Sequence, residues 1–187
     1  MEAGDSFKFP QDRNTTLART YEGAFVDYED PIARLADAAR AVNHAISPLV
    51  LFPRTENPHL CLPVDQTYKT YCDAASELYK LVGPDNLAQQ TLKLLLHDRF
   101  DVTKEDLIHE SGRALGTRQM LVLLEQKLGS PGLVSAPLRD VAELRTAADH
   151  KVLSPEAVTQ SYSRQFAEMC TTIAGGLEQL ATLLAQK

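Results

Sequence analysis

Arg145 and His150, in the run Leu144-Arg145-Thr146-Ala147-Ala148-Asp149-His150, are the side chains whose types and spacing best suit chemistry. An imidazole titrates near neutrality, so it can accept and return a proton at ordinary pH. A guanidinium keeps its charge and presents a planar fork of donors that matches phosphoryl oxygens. Together they suit RNA strand cleavage in which a deprotonated 2′-hydroxyl attacks the adjacent phosphate. The imidazole would move protons, and the guanidinium would offset charge building on the phosphoryl oxygens. That reaction calls for no metal and no cofactor.

The run resembles the R-x4-6-H motif of the HEPN superfamily, helical proteins many of which are metal-independent endoribonucleases. The resemblance covers the motif, its place beside the final long helix and the all-helical setting. It implies a nuclease of the toxin–antitoxin or antiviral defence type, with Arg145 holding phosphate and His150 doing acid–base work. It also implies a homodimer in which two copies of the motif face one cleft, cyclic-phosphate products, and a possible antitoxin or defence-system partner. Arg139, Thr146, Lys151 and Arg164 are the expected RNA-binding residues around that cleft. Thr146 departs from the family, which frequently has Asn or another strongly polar residue after the arginine. On a continuous helix Arg145 and His150 would sit about 140° apart, so the helix must end or unwind near Asp149 for the two to converge.

Other readings compete for the same residues. Arg145 and Asp149 are spaced as an i,i+4 surface ion pair, and a histidine at a helix end is favourable through the dipole alone. On that view the chain is a non-catalytic helical interaction module or a subunit of a larger assembly. A second R-x4-H match, Arg54 to His59, falls among prolines and lacks a helical setting. His97-Asp98, after Leu94-Leu95-Leu96, resembles the central dipeptide of HD-domain phosphohydrolases, which are also all-helical. A metal site of that kind needs a further histidine, His44 or His59, and a further aspartate, Asp140 or Asp149. Asp101, Glu105, Asp106, His109 and Glu110 read as a solvated face, because the Glu-x-x-His pair repeated on two helices is absent. Phosphate-binding glycine loops, the Gly-x-Ser-x-Gly elbow and the His-Glu-x-x-His zinc motif are also absent.

The elements that must carry these residues are helical. Asp30-Pro31 opens a stripe of Leu35, Ala39, Val42 and Ile46 that Ser47-Pro48 stops. Prolines 48, 53, 58 and 63 then make residues 48–64 a connector. A helix from Asp65 closes at Gly83-Pro84, its Tyr68, Tyr71, Leu78 and Tyr79 reading as core, and a shorter helix follows over 85–98. Thr103-Lys104-Glu105-Asp106 resembles a capping box and predicts a long helix to Gly129. A helix begins at Pro137, and Ser154-Pro155-Glu156 caps the last, in which Gly175-Gly176 marks a close-packing point or a kink. The expected fold is an all-α antiparallel bundle over 30–187, preceded by an arm at 1–29.

Composition sets the outer bounds. With 187 residues, 44% hydrophobic and 24% charged, the chain can bury one substantial core. The net charge of −6 disfavours clinging to nucleic acid through bulk charge, so RNA contact would need a local basic cleft. No run approaches membrane-spanning length, and the first residues lack the basic start and apolar core of a secretion signal. Cys61, Cys72 and Cys170 fit reduced, mostly core-facing thiols, as in a cytoplasmic protein.

Overall fold

The computed structural model describes residues 29–64, 67–149 and 161–187. The described residues contain six α-helices: α1 (Pro31–Ala45), α2 (Tyr68–Val82), α3 (Gln89–Phe100), α4 (Thr117–Lys127), α5 (Ser135–Asp149) and α6 (Tyr162–Ala185). A single 3-10 turn, Pro84–Asn86, links α2 to α3. No strand occurs among them beyond one isolated bridge, Ile108 to Ala114. Residues from Pro31 onward form one compact unit, and the fold is an all-α bundle. Among the described residues no helix is long and apolar enough to cross a membrane.

The largest helix-to-helix interface is between α1 and α6. Leu35, Ala39 and Val42 on one helix, and Ile173, Leu177, Leu180 and Leu184 on the other, are fully buried. Arg34 reaches from α1 to Glu178 on α6 through two bonds of 2.8 Å. At the helix ends the Arg99 guanidinium donates to the Leu184 carbonyl at 2.8 Å and to the Ala45 carbonyl at 3.5 Å. One cation can reach both only if α1 and α6 end side by side, so these two helices run in the same direction. Simple up-and-down alternation therefore does not describe this pair, and the connector explains how the chain can return between helices.

That connector, described over residues 46–64, is held by side chains in place of secondary structure. The Asn43 side-chain amide accepts from the Leu51 and Phe52 N–H groups at 2.9 Å and donates to the Phe52 carbonyl at 2.8 Å. Leu51 and Phe52 are thereby buried without an unpaired backbone group. Farther along, Asn57 donates to the Glu77 carbonyl on α2, and residues 61–64 lie beside Thr70 and Asp73. The connector thus runs back along α2 toward its start, where Thr67 accepts from the Thr70 N–H.

Between Val102 and Gly116 the structure departs from the predicted long helix. The capping interaction forms: Thr103 donates from N and Oγ1 to Asp106, and the Asp106 N–H donates to Thr103 Oγ1. One turn follows, and the chain then folds back through Gly112 so that His109 and Leu107 pair with Arg113 and Leu115. Helix α4 starts only at Thr117, where the Gln119 side chain accepts from the Gly116 N–H. Helix α5 starts at Ser135, earlier than Pro137, because a buried carboxylate caps it. Helix α6 begins at Tyr162 and is capped by Ser161, whose hydroxyl accepts from the Arg164 N–H at 3.4 Å, and not by the expected Ser154-Pro155-Glu156, which lies outside the described residues.

The carboxylate belongs to Glu125, which has no exposed surface. It accepts from the N–H groups of Val134 at 2.6 Å, Ser135 at 2.7 Å and Gly132 at 3.0 Å, and from the Ser135 hydroxyl. The Ser135 N–H is a first-turn donor that α5 leaves without a helical partner, Gly132 and Val134 lie in the turn just before it, and the helix dipole favours the negative charge there. The same turn presses on α6 at Gly176, where a β-carbon would stand 2.5 Å from the Leu133 carbonyl oxygen. Gly176 is therefore a close-packing point within the chain, whereas a β-carbon on Gly175 would meet nothing within 4 Å.

Candidate functional site

Arg145 lies in α5, which packs on α2. Its side chain is exposed, and its guanidinium carbon stands 4.8 Å from the centre of the Tyr79 ring. That is cation–π distance, an attraction between the fixed cation and the negative ring face. Among the described residues no carboxylate pairs with Arg145 and no hydrogen bond occupies its N–H donors. The guanidinium is thus located by the ring, and no described residue occupies its donors.

The ring that seats it is built in. Tyr79 is 7% exposed, and its hydroxyl donates to Asp85 at 2.7 Å. Asn86 donates to the Tyr79 carbonyl at 2.8 Å, and the Gly83 N–H, closing α2, donates to the same carbonyl at 2.7 Å. A β-carbon on Gly83 would approach the ring to 2.8 and 2.9 Å, so the ring takes this position because residue 83 is glycine. Burial, then the bond to Asp85, raises the phenol above its ordinary pKa, while the positive charges of Arg145 and Arg118 act in the opposite sense.

The expected basic residues around Arg145 divide sharply. Arg139 lies 3.8 Å from Glu143 and 3.9 Å from Asp140, all on α5. Arg164, in the first turn of α6, donates to Glu168 at 2.8 Å. Both cations have acidic partners on their own helices. The Thr146 hydroxyl donates to the Ala142 carbonyl one turn back, a bond that satisfies it within α5. His150 and Lys151 lie outside the described residues, as does the Asp149 side chain that could pair with Arg145.

The alternative pairings fall as follows. Arg54 and His59 are exposed in the connector and line one surface groove of about 300 Å³ with Asn57, Glu77 and Lys80. Glu77 is already engaged by Lys80 and Asn57, which hold its carboxyl below the usual range. His97 and Asp98 bond to each other at 2.7 Å on the solvated end of α3, with 67% and 60% of their side chains exposed. His44, His59 and Asp140 are also exposed. Among the described residues, no group of three His, Cys, Asp or Glu side chains could hold a metal ion. Asp101, Glu105, Asp106, His109 and Glu110 form the solvated face expected of them. Cys72 and Cys170 are buried, but Cys61 is exposed.

Comparison with protein-family models, curated proteins and solved structures finds no match to this chain. The sequence pattern contained no sign of Tyr79 or Asp85 at the candidate site. Tyr79 reads correctly as core, and only the packing of α5 on α2 reveals that one face of its ring carries Arg145.

Proposed function

We propose that the chain is a HEPN-like, metal-independent endoribonuclease that cleaves RNA by 2′-hydroxyl attack. Arg145 holds the phosphate, and His150 transfers protons in a cleft between two copies of the chain. The observation that carries this reading is the state of Arg145: fixed on an aromatic ring, exposed, and with its donors unoccupied among the described residues. A guanidinium held in this way offers a fork of N–H groups to phosphoryl oxygens with little rotamer freedom left to lose. The all-α fold is the setting that the family resemblance calls for. An antitoxin or defence-system partner, and a cytoplasmic location, belong to the same proposal.

The test is cleavage of single-stranded RNA in the presence of a chelator, with analysis of the product ends. The expected result is a 2′,3′-cyclic phosphate, with loss of at least about a hundredfold in rate for His150→Ala and for Arg145→Ala. Parental rates in both variants would overturn the assignment. Light scattering of the intact chain adds the oligomeric state, which should be dimeric.

A second reading, a non-catalytic interaction module, is favoured by Arg139 and Arg164. Their glutamate partners offset the positive charge that a basic RNA cleft would need. A parent protein that neither binds nor cleaves RNA at low salt selects this reading.

A further inference from the structure

We infer that Tyr79 is a positioning residue for the proposed phosphate site, its ring seating the Arg145 guanidinium and its hydroxyl tied to Asp85. The assignment rests on the nuclease reading above for the identity of the ligand, but the contact itself stands on geometry alone.

Three features fix the ring independently of Arg145. Helix α2 buries Tyr79 on its inner face, the hydroxyl is anchored on Asp85 at 2.7 Å, and Gly83 leaves the space that the ring edge occupies. A ring held on these sides has one orientation to offer. The Arg145 carbon is 4.8 Å from its centre, so the cation rests on a prepared surface. A flexible arginine would otherwise lose side-chain entropy on gripping an anion, and a seated one has lost part of it beforehand. The role of Tyr79 is to act through Arg145, with no contact to substrate required. Asp85 acts one step farther out, by holding the phenol.

The experiment uses the full chain and two readouts. The first is the Arg145 Nε–Hε signal in a nitrogen–proton NMR spectrum, assigned by its loss in Arg145→Lys. The second is binding of a fluorescein-labelled 2′-O-methyl oligouridylate, which 2′-hydroxyl attack cannot cleave. Tyr79→Phe keeps the ring face but removes the Asp85 anchor, so it should retain the ring-shifted signal and weaken the probe by no more than about twofold. Tyr79→Leu removes the π face and should move the signal toward the ordinary arginine position and weaken the probe about fivefold. If the leucine variant fails to fold, Tyr79→Met supplies the same loss with a more adaptable side chain. In an Arg145→Ala background, itself about tenfold weaker, Tyr79→Leu should cost nothing further.

An Arg145 signal and an affinity both unchanged by Tyr79→Leu overturn the positioning role. A signal that follows the ring, combined with parental probe binding by Arg145→Ala, overturns the phosphate site and the assignment with it. The two failures are therefore read from different variants.

Discussion

Helix α5 carries a charged residue's influence at each end, and the two are handled in opposite ways. At its start the Glu125 carboxylate is fully buried and accepts four hydrogen bonds from the Gly132–Ser135 segment. Toward its other end the Arg145 guanidinium is exposed on the Tyr79 ring, with no hydrogen-bond acceptor among the described residues. A buried charge must find partners inside the protein or the fold does not tolerate it. Once it has them it is committed to structure and unavailable for chemistry. An exposed cation on an aromatic face costs the fold little and keeps its donors. The contrast sets a charge committed to structure at one end of α5 against a cation with no acceptor among the described residues at the other.

Removing Glu125 should have the largest effect on stability. Glu125→Ala strands three backbone donors at the start of α5, and chemical denaturation should show a loss of about 3 kcal/mol. A loss below about 1 kcal/mol would mean that water replaces the carboxylate and that the junction is not the anchor described here. Next comes the neighbouring packing point. Gly176→Ala forces a β-carbon against the Leu133 carbonyl and should cost about 2 kcal/mol, whereas Gly175→Ala, with open space around it, should stabilise α6 by up to about 1 kcal/mol. Equal effects at the two glycines would break the proposed seam between the turn and α6. Smallest is Arg145→Ala, expected to change unfolding free energy by less than about 1 kcal/mol. A larger loss would move Arg145 into the structural class and weaken the contrast.

Apolar periodicity and proline placement made most of the fold readable. Pro31, the 48–64 prolines and Gly83-Pro84 mark real boundaries, and the predicted stripe of Leu35, Ala39, Val42 and Ile46 is buried. The long helix after Thr103 was misread for a local reason. A capping box organises one turn, and whether the helix continues depends on what it packs against and on the residues that follow. His109-Glu110-Ser111-Gly112 turns the chain back at that point. Glu125 was invisible because a lone acidic residue beside Leu124 reads as solvent-facing, and only the fold shows which backbone donors surround it. The arginine of the motif was legible by type, but its aromatic seat comes from another helix, and spacing along the chain contains no information about such a contact.

Arg99 has a mechanical consequence. By gripping the terminal carbonyls of α1 and α6 together, it pins two rods at one end, while Arg34 and Glu178 cross-brace them higher up. Sliding one rod past the other by a turn would release both fastenings at once. The pair should therefore move as a single stiff strut, and shape change in this bundle would have to come from the helices mounted on it.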